Sequence, residues 1–172
     1  MGLAAIQIAN SVGALTVATT RGADKRQFLL DNGANHVIVT DEEDIAAQMK
    51  EANVGKGADL IFDPVSGPFL EKLAKAAAPG AKIFEYGALS LAPTPFPLFD
   101  ALGKGLTVRG YTLFEIVRNP NKLDAGKQFI YKGLKSGALN PVIDSTFRLD
   151  DIVAAHRHME SNRQKGKIVV TV

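Results

Sequence analysis

The sequence contains no cysteine, which excludes disulfides and thiolate metal sites at the outset. It also lacks any strong imbalance of charge. Twenty Lys and Arg against eighteen Asp and Glu leave a net charge of +2, and no basic run is long enough to form a nucleic-acid stripe. There is no uninterrupted apolar stretch of the ~18 or more residues that a membrane span needs, and no charged-then-apolar leader at the first residues. Nucleic acid and membrane are therefore not expected partners, and a cytoplasmic location is expected. What is present is ordinary for a globular protein: 46% hydrophobic and 22% charged residues over 172 positions. That length suits one compact domain, or one domain with a small appendage.

Short β-rich runs alternate with helical stretches, the pattern of crossover connections and a parallel sheet. Residues 1–9 read as a helix and residues 14–20 as a strand. Asp24 is placed to cap a helix over residues 25–30, which Asn32-Gly33 stops. A strand over residues 36–40 leads to an acid-started helix from Glu42 to Ala52, in keeping with the helix dipole. The strand over residues 58–63 is broken by Pro64 and Gly67 before a helix from Phe69 to Ala78. Pro79-Gly80 turns the chain into a strand over residues 82–87, and a loop with Pro93, Pro95 and Pro97 precedes a short helix over residues 98–104. The strand over residues 106–111 completes the sheet, and a helix over residues 121–135 has apolar positions Leu123, Phe129, Ile130 and Leu134 to cover one face. The tail changes character, with a segment over 142–147, a helix over 149–160 and a last strand over 167–172. The boundary near Gly137-Ala138 divides residues 1–138 from residues 139–172.

A further absence bears on this plan. In a βαβ dinucleotide fold a strand and a glycine-rich turn precede the first helix, and the turn holds a pyrophosphate against the helix N-terminus. This sequence opens on the helix. The expected fold class is therefore α/β, a Rossmann-like doubly wound parallel sheet lacking its first strand, followed by a C-terminal remnant of a second domain. That strand is central in the order 3-2-1-4-5-6, so its loss opens a slot rather than trimming an edge. Three outcomes are expected: the strand over residues 167–172 fills the slot in the same chain, the same strand fills it from a second copy in a strand-exchanged homodimer, or the sheet rearranges.

Four segments carry a resemblance: Gly33-Ala34-Asn35-His36-Val37-Ile38, the run Gly57-Ala58-Asp59-Leu60-Ile61-Phe62-Asp63-Pro64-Val65-Ser66-Gly67, Tyr86-Gly87-Ala88-Leu89-Ser90, and Gly166-Lys167-Ile168-Val169-Val170. In this order they resemble the medium-chain dehydrogenase/reductase superfamily, most closely its quinone-oxidoreductase-like members, often labelled zinc-binding dehydrogenases. The likeness runs over essentially the whole chain. It implies an NADP-dependent oxidoreductase that moves hydride between nicotinamide and a carbonyl, quinone or enone, with positioning supplying most of the catalysis. It also implies that the substrate pocket, and the metal ligands of zinc members, belong to an N-terminal half not represented here. Residues 139–172 would be the C-terminal part of the substrate domain, and residues 1–172 alone are expected to show little turnover. The other open reading is a non-catalytic nucleotide-binding or self-associating module.

The resemblance also distributes roles. In the family a glycine-rich turn ending in Val-Gly leads into Leu-Ala-Ala-Ile-Gln-Ile-Ala, so Gly2 sits where a glycine lets the first helix pack closely on its strand; alternatively it simply follows an initiator methionine. Thr20-Arg21 ends a strand where NAD-binding folds usually carry an acid and NADP-binding folds often carry Arg. Arg21 and Lys25 are placed to bracket a 2′-phosphate, with the Thr20 hydroxyl hydrogen-bonding to it, which favours NADP; the alternative is that both cations are solvated surface charges. By resemblance Val65 and the turn Gly87-Ala88-Leu89 line the nicotinamide side, and a side chain at Gly87 would hold the cofactor off the backbone. Val65 reads equally as a plain turn residue. Asn162 matches a region that passes near the cofactor, or else ends a helix, and Lys167 reads as a strand-edge charge. Asp63 reads as a turn-fixing acceptor of backbone hydrogen bonds rather than a catalytic acid. His36 caps a loop, while His156 and His158, two apart on a helix, face different ways and make no metal pair. No catalytic residue and no metal ligand is assigned.

Overall fold

The computed structural model describes residues 1–172 as an α/β structure in which every strand pair is parallel. In chain order the elements are α1 (Gly2–Ser11), β1 (Val17–Thr20), α2 (Arg26–Asp31), β2 (His36–Val39), α3 (Ile45–Ala52), β3 (Ala58–Asp63), α4 (Phe69–Ala76), β4 (Ala77–Glu85), α5 (Leu98–Lys104), β5 (Thr107–Gly110), α6 (Phe114–Val117), α7 (Pro120–Ser136), β6 (Ile143–Arg148), α8 (Ile152–Glu160) and β7 (Lys167–Thr171). The chain packs as two units, one made of Met1–Val39 with Gln128–Val172 and the other of Thr40–Lys127. No helix is long and apolar enough to cross a membrane.

In the first unit β1 pairs with β2, and α1 contributes Ile6 to a core with Ala34 and Val37, flanked by Leu3, Ala18, Leu29 and Leu30. The approach of α1 to the turn before β2 is fixed by Asn10, whose Nδ2 donates to the Gly33 carbonyl at 2.7 Å. Gly33 has φ +98°, and a Cβ there would lie 2.6 Å from that same nitrogen. Both facts require glycine at this helix stop. The same unit holds a separate pair, β6 with β7, fastened to α8 by Asp144. Its Oδ1 accepts from the Lys165 amide and its Oδ2 meets His158 Nε2, both at 2.7 Å.

The second unit is a three-stranded sheet in the order β3-β4-β5. Its core is Leu70 and Ala74 of α4 against Ala77, Ala81 and Ile83 of β4, with Ile61, Leu106 and Val108 alongside. Lys104, at the end of α5, donates to the Ala74 and Lys75 carbonyls at 2.8 and 2.9 Å, satisfying the last acceptors of α4 with a cation where the dipole favours one.

Four sequence expectations are corrected. Asp24 does not cap α2: residues Ala23–Lys25 form a 3-10 turn and α2 starts at Arg26 with no side-chain cap, which leaves the carboxylate a residue too early to reach α2's free amides. Glu42 and Glu43 precede α3 rather than opening it, because Asp44 takes the cap by accepting from the Ala47 amide at 2.7 Å. Pro79-Gly80 does not separate helix from strand; β4 begins at Ala77, and the turn survives as a bulge where the register passes from Ala58↔Ala77 to Leu60↔Lys82. Finally, the 167–172 strand does not fill a slot within its own chain. Its register partners run from Ile143 to Arg148 on β6, a parallel ladder whose register shifts between Ile143 and Ser145. The strands β2-β1 and β3-β4-β5 form two separate sheets, and within them β1 pairs only with β2 and β3 only with β4.

Candidate functional site

Two turns follow the C-terminal ends of adjacent strands in the Thr40–Lys127 unit, the position where open α/β sheets bind ligands. Asp63 ends β3 and is 3% exposed. Its Oδ1 accepts from the Val65 amide at 2.9 Å and its Oδ2 from the Ser66 amide at 2.8 Å. The aspartate therefore fixes the turn, as its place before Pro64 predicts. With that turn wound tightly, Ser66 sits at φ +58° and Gly67 at φ +63°, and the Gly67 amide donates to Thr94 Oγ1 at 2.9 Å.

Glu85 ends β4 as the register partner of Asp63, and the chain behind it doubles against the first turn. The Tyr86 amide donates to the Asp63 carbonyl, the Leu89 amide to that of Pro64 and the Ser90 amide to that of Val65, at 3.0, 3.0 and 2.9 Å. A Cβ on Gly87 would stand 2.8 Å from the Pro64 oxygen; glycine is what allows the two turns to lie this close. Val65 is half-buried between them, while Ala88 and Leu89 are exposed. The Gly87 and Ala88 amides engage no protein acceptor, so two neighbouring donors are available at the mouth of the turn.

The electrostatics here are acidic. Burial pushes the Glu85 carboxyl above the usual carboxylate range, opposed by a Ser66 hydrogen bond and reinforced by the charge of Asp63. Burial and the same aspartate push the Tyr86 phenol up. The Tyr86 ring stacks on Phe62 with centroids 3.8 Å apart. Sequence reasoning missed Ser66 and Glu85. A detectable signal existed in the second case, an acid among Ile83, Phe84 and Tyr86 in a strand that otherwise reads as core.

The remaining candidates lie in the other unit. Thr20 ends β1 and its hydroxyl donates to the Gly22 carbonyl at 3.2 Å. Arg21 is exposed and carries no ion pair. Lys25 and Asn162 come together: Lys25 Nζ donates to the Asn162 carbonyl at 2.5 Å, and Asn162 holds φ +56°. Gly2 opens α1 with no atom within 4 Å of a would-be Cβ. No group of three or more side chains suited to a metal comes together.

A zinc-binding dehydrogenase family model matches residues 1–130. The chain belongs to that family, within the medium-chain dehydrogenase/reductase superfamily, and corresponds to the C-terminal portion of its quinone-oxidoreductase-like members. It is similar to 2-haloacrylate reductase of Burkholderia sp, 26% identical over 172 residues that cover 99% of this chain and 52% of that protein. Among solved structures it is similar to Escherichia coli quinone oxidoreductase complexed with NADPH, with TM-score 0.85, 26% identity and coverage of 98% of this chain and 53% of the other. It is also similar to an NAD-dependent alcohol dehydrogenase, with TM-score 0.86, 29% identity and coverage of 99% and 47%. The chain thus spans about half the length of the curated relative it matches.

Proposed function

We propose that this chain is the cofactor-handling part of an NADP-dependent oxidoreductase that transfers hydride between nicotinamide and a carbonyl, quinone or enone. The observation that carries the reading is the pair of interlocked turns after β3 and β4. They expose the unengaged Gly87 and Ala88 amides beside Val65 and Leu89, with glycine at 87 letting the two turns close on each other. The Gly87 and Ala88 amides would donate to the nicotinamide carboxamide, with Val65 and Leu89 as apolar walls, while Arg21, with Lys25 and Thr20, would hold a 2′-phosphate. Asn162 serves that set by fixing Lys25, and Gly2 would stand beside the pyrophosphate. The bound nicotinamide supplies the hydride chemistry, and these residues supply binding and orientation.

NADP over NAD is supported by Arg21, by the lack of an acid at the end of β1, and by the NADPH complex of a similar reductase. The similar NAD-dependent dehydrogenase makes the choice worth testing. None of the residues named here is placed to move a proton to a substrate, so residues 1–172 alone are proposed to bind cofactor with little turnover. A cytoplasmic location, residues 1–138 and 139–172 as parts of two domains, and a homodimer belong to the same reading. Fluorescence titration decides the cofactor. NADPH should bind more tightly than NADH, and Arg21→Ala should weaken NADPH about tenfold, the loss of one charge-assisted contact, while NADH changes little. Equal affinities that ignore Arg21 would overturn the NADP assignment.

A further inference from the structure

Glu85 is the site residue to which the proposed function gives no task. Ser66 Oγ lies 2.6 Å from Glu85 Oε2 and 2.7 Å from the Gly87 carbonyl oxygen. If Glu85 is ionised, both of those atoms are acceptors, and a serine hydroxyl has a single hydrogen to give. One of the two short contacts would then be two oxygens with no proton between them. A proton on Glu85 removes the conflict: Oε2 donates to Ser66 Oγ, and Ser66 donates to Gly87.

Two further observations point the same way. Asp63, across the register, has both oxygens occupied by amide donors. Its oxygens are thus already engaged, and a second negative charge brought beside that side chain is repelled. Glu85 Oε1 is buried without a partner, which is far less unfavourable for the carbonyl of a neutral acid than for half of a carboxylate. No neighbouring cation compensates. On β5 the register partner is Gly110, and Arg109 pairs with Glu115; Lys104 of α5 pairs with Asp100, and α4 turns Glu71, Lys72 and Lys75 to solvent.

We infer that Glu85 keeps its carboxyl proton in the folded chain and acts as a positioning residue, closing a hydrogen-bond relay from Glu85 through Ser66 to Gly87 that fixes the turn bearing the free Gly87 and Ala88 amides. Losing the proton turns Glu85 from donor to acceptor and draws the Ser66 hydrogen away from Gly87. Positioning of a cofactor by this relay rests on the nicotinamide reading; the proton itself does not.

The test is an infrared spectrum of the full chain at about pH 6, where ordinary glutamates, titrating near 4.3, are ionised. The wild-type chain should carry the C=O band of a protonated carboxyl, moved by carbon-13 labelling of glutamate and absent from Glu85→Gln. In NMR spectra of the same proteins the Gly87 and Ala88 amides should hold their positions in Glu85→Gln, whose Nε2 donates to Ser66 in place of the acid, and shift in Ser66→Ala. A wild-type spectrum without the band, a band that persists in Glu85→Gln, or a Ser66→Ala variant whose two amides stay in place overturns the proposal. The band is read from the wild-type chain, so an unstable variant does not blunt the result. A chain that shows the band yet binds neither NADPH nor NADH would defeat the nicotinamide reading while leaving the relay intact.

Discussion

Single residues set the limits of this chain through close contacts and charge. Gly57 precedes β3, and a Cβ there would stand 2.5 Å from the Ala77 carbonyl carbon, 2.5 Å from the Ala78 nitrogen and 2.6 Å from the Ala76 oxygen, all backbone. No rotamer change can relieve such an overlap, so Gly57→Ala should cost about 1–3 kcal/mol by chemical denaturation, the usual range for overpacking. Asp144 sets an acid limit. The amide of Lys165 first, and the side chain of His158 second, hold its carboxyl below the ordinary range. A depressed carboxylate contributes stability that is fully present above its unfolded value, about 3.9, and is lost as pH falls through the folded value. The denaturation midpoint of the wild-type chain should therefore fall on acidification more steeply than that of Asp144→Asn; identical slopes would contradict this. Glu85 has the opposite sign. Its raised carboxyl contributes stability fully present below about 4.3 and lost as pH rises through the folded value, so Glu85→Gln should flatten that alkaline-side decline.

Elements were legible wherever local chemistry decides them. The stop at Asn32-Gly33, the apolar pulse of β2 and the strand before Asp63-Pro64 each have a cause within a few residues. Asp44 was read as part of an acid-started helix but is its cap; Asp44→Ala should lower stability by about 1 kcal/mol, the common loss for a cap residue. The bulge at Pro79-Gly80 was not legible, because it depends on pairing Ala77 to Ala58, a contact between residues far apart in sequence. The partner of β7 was not legible for the same reason: an apolar parallel strand carries no label for its neighbour, and β6 won. β3 keeps Leu60 and Phe62 exposed, at 63% and 41%, beside an edge with no strand on it. Such an edge favours self-association, and a charge on it opposes pairing. Leu60→Lys should reduce concentration-dependent light scattering of the chain; unchanged scattering would place self-association elsewhere.

At the scale of the whole molecule, family and fold class were readable because four separated segments keep a fixed order, and the family match agrees over residues 1–130. The site was readable in part. Val65 and Gly87 stand in turns announced by Asp63-Pro64 and Tyr86-Gly87, whereas Ser66 and Glu85 matter only because parallel pairing brings position 63 against position 85. The proposed cofactor role requires the Gly87-Ala88 turn to be a nicotinamide-binding edge. NMR of the full chain during NADPH addition tests this most directly. Saturable shifts of the Gly87 and Ala88 amides, accompanied by those of Thr20 and Arg21, are the predicted result; resonances at Gly87 and Ala88 that stay fixed while NADPH saturates the chain would contradict it.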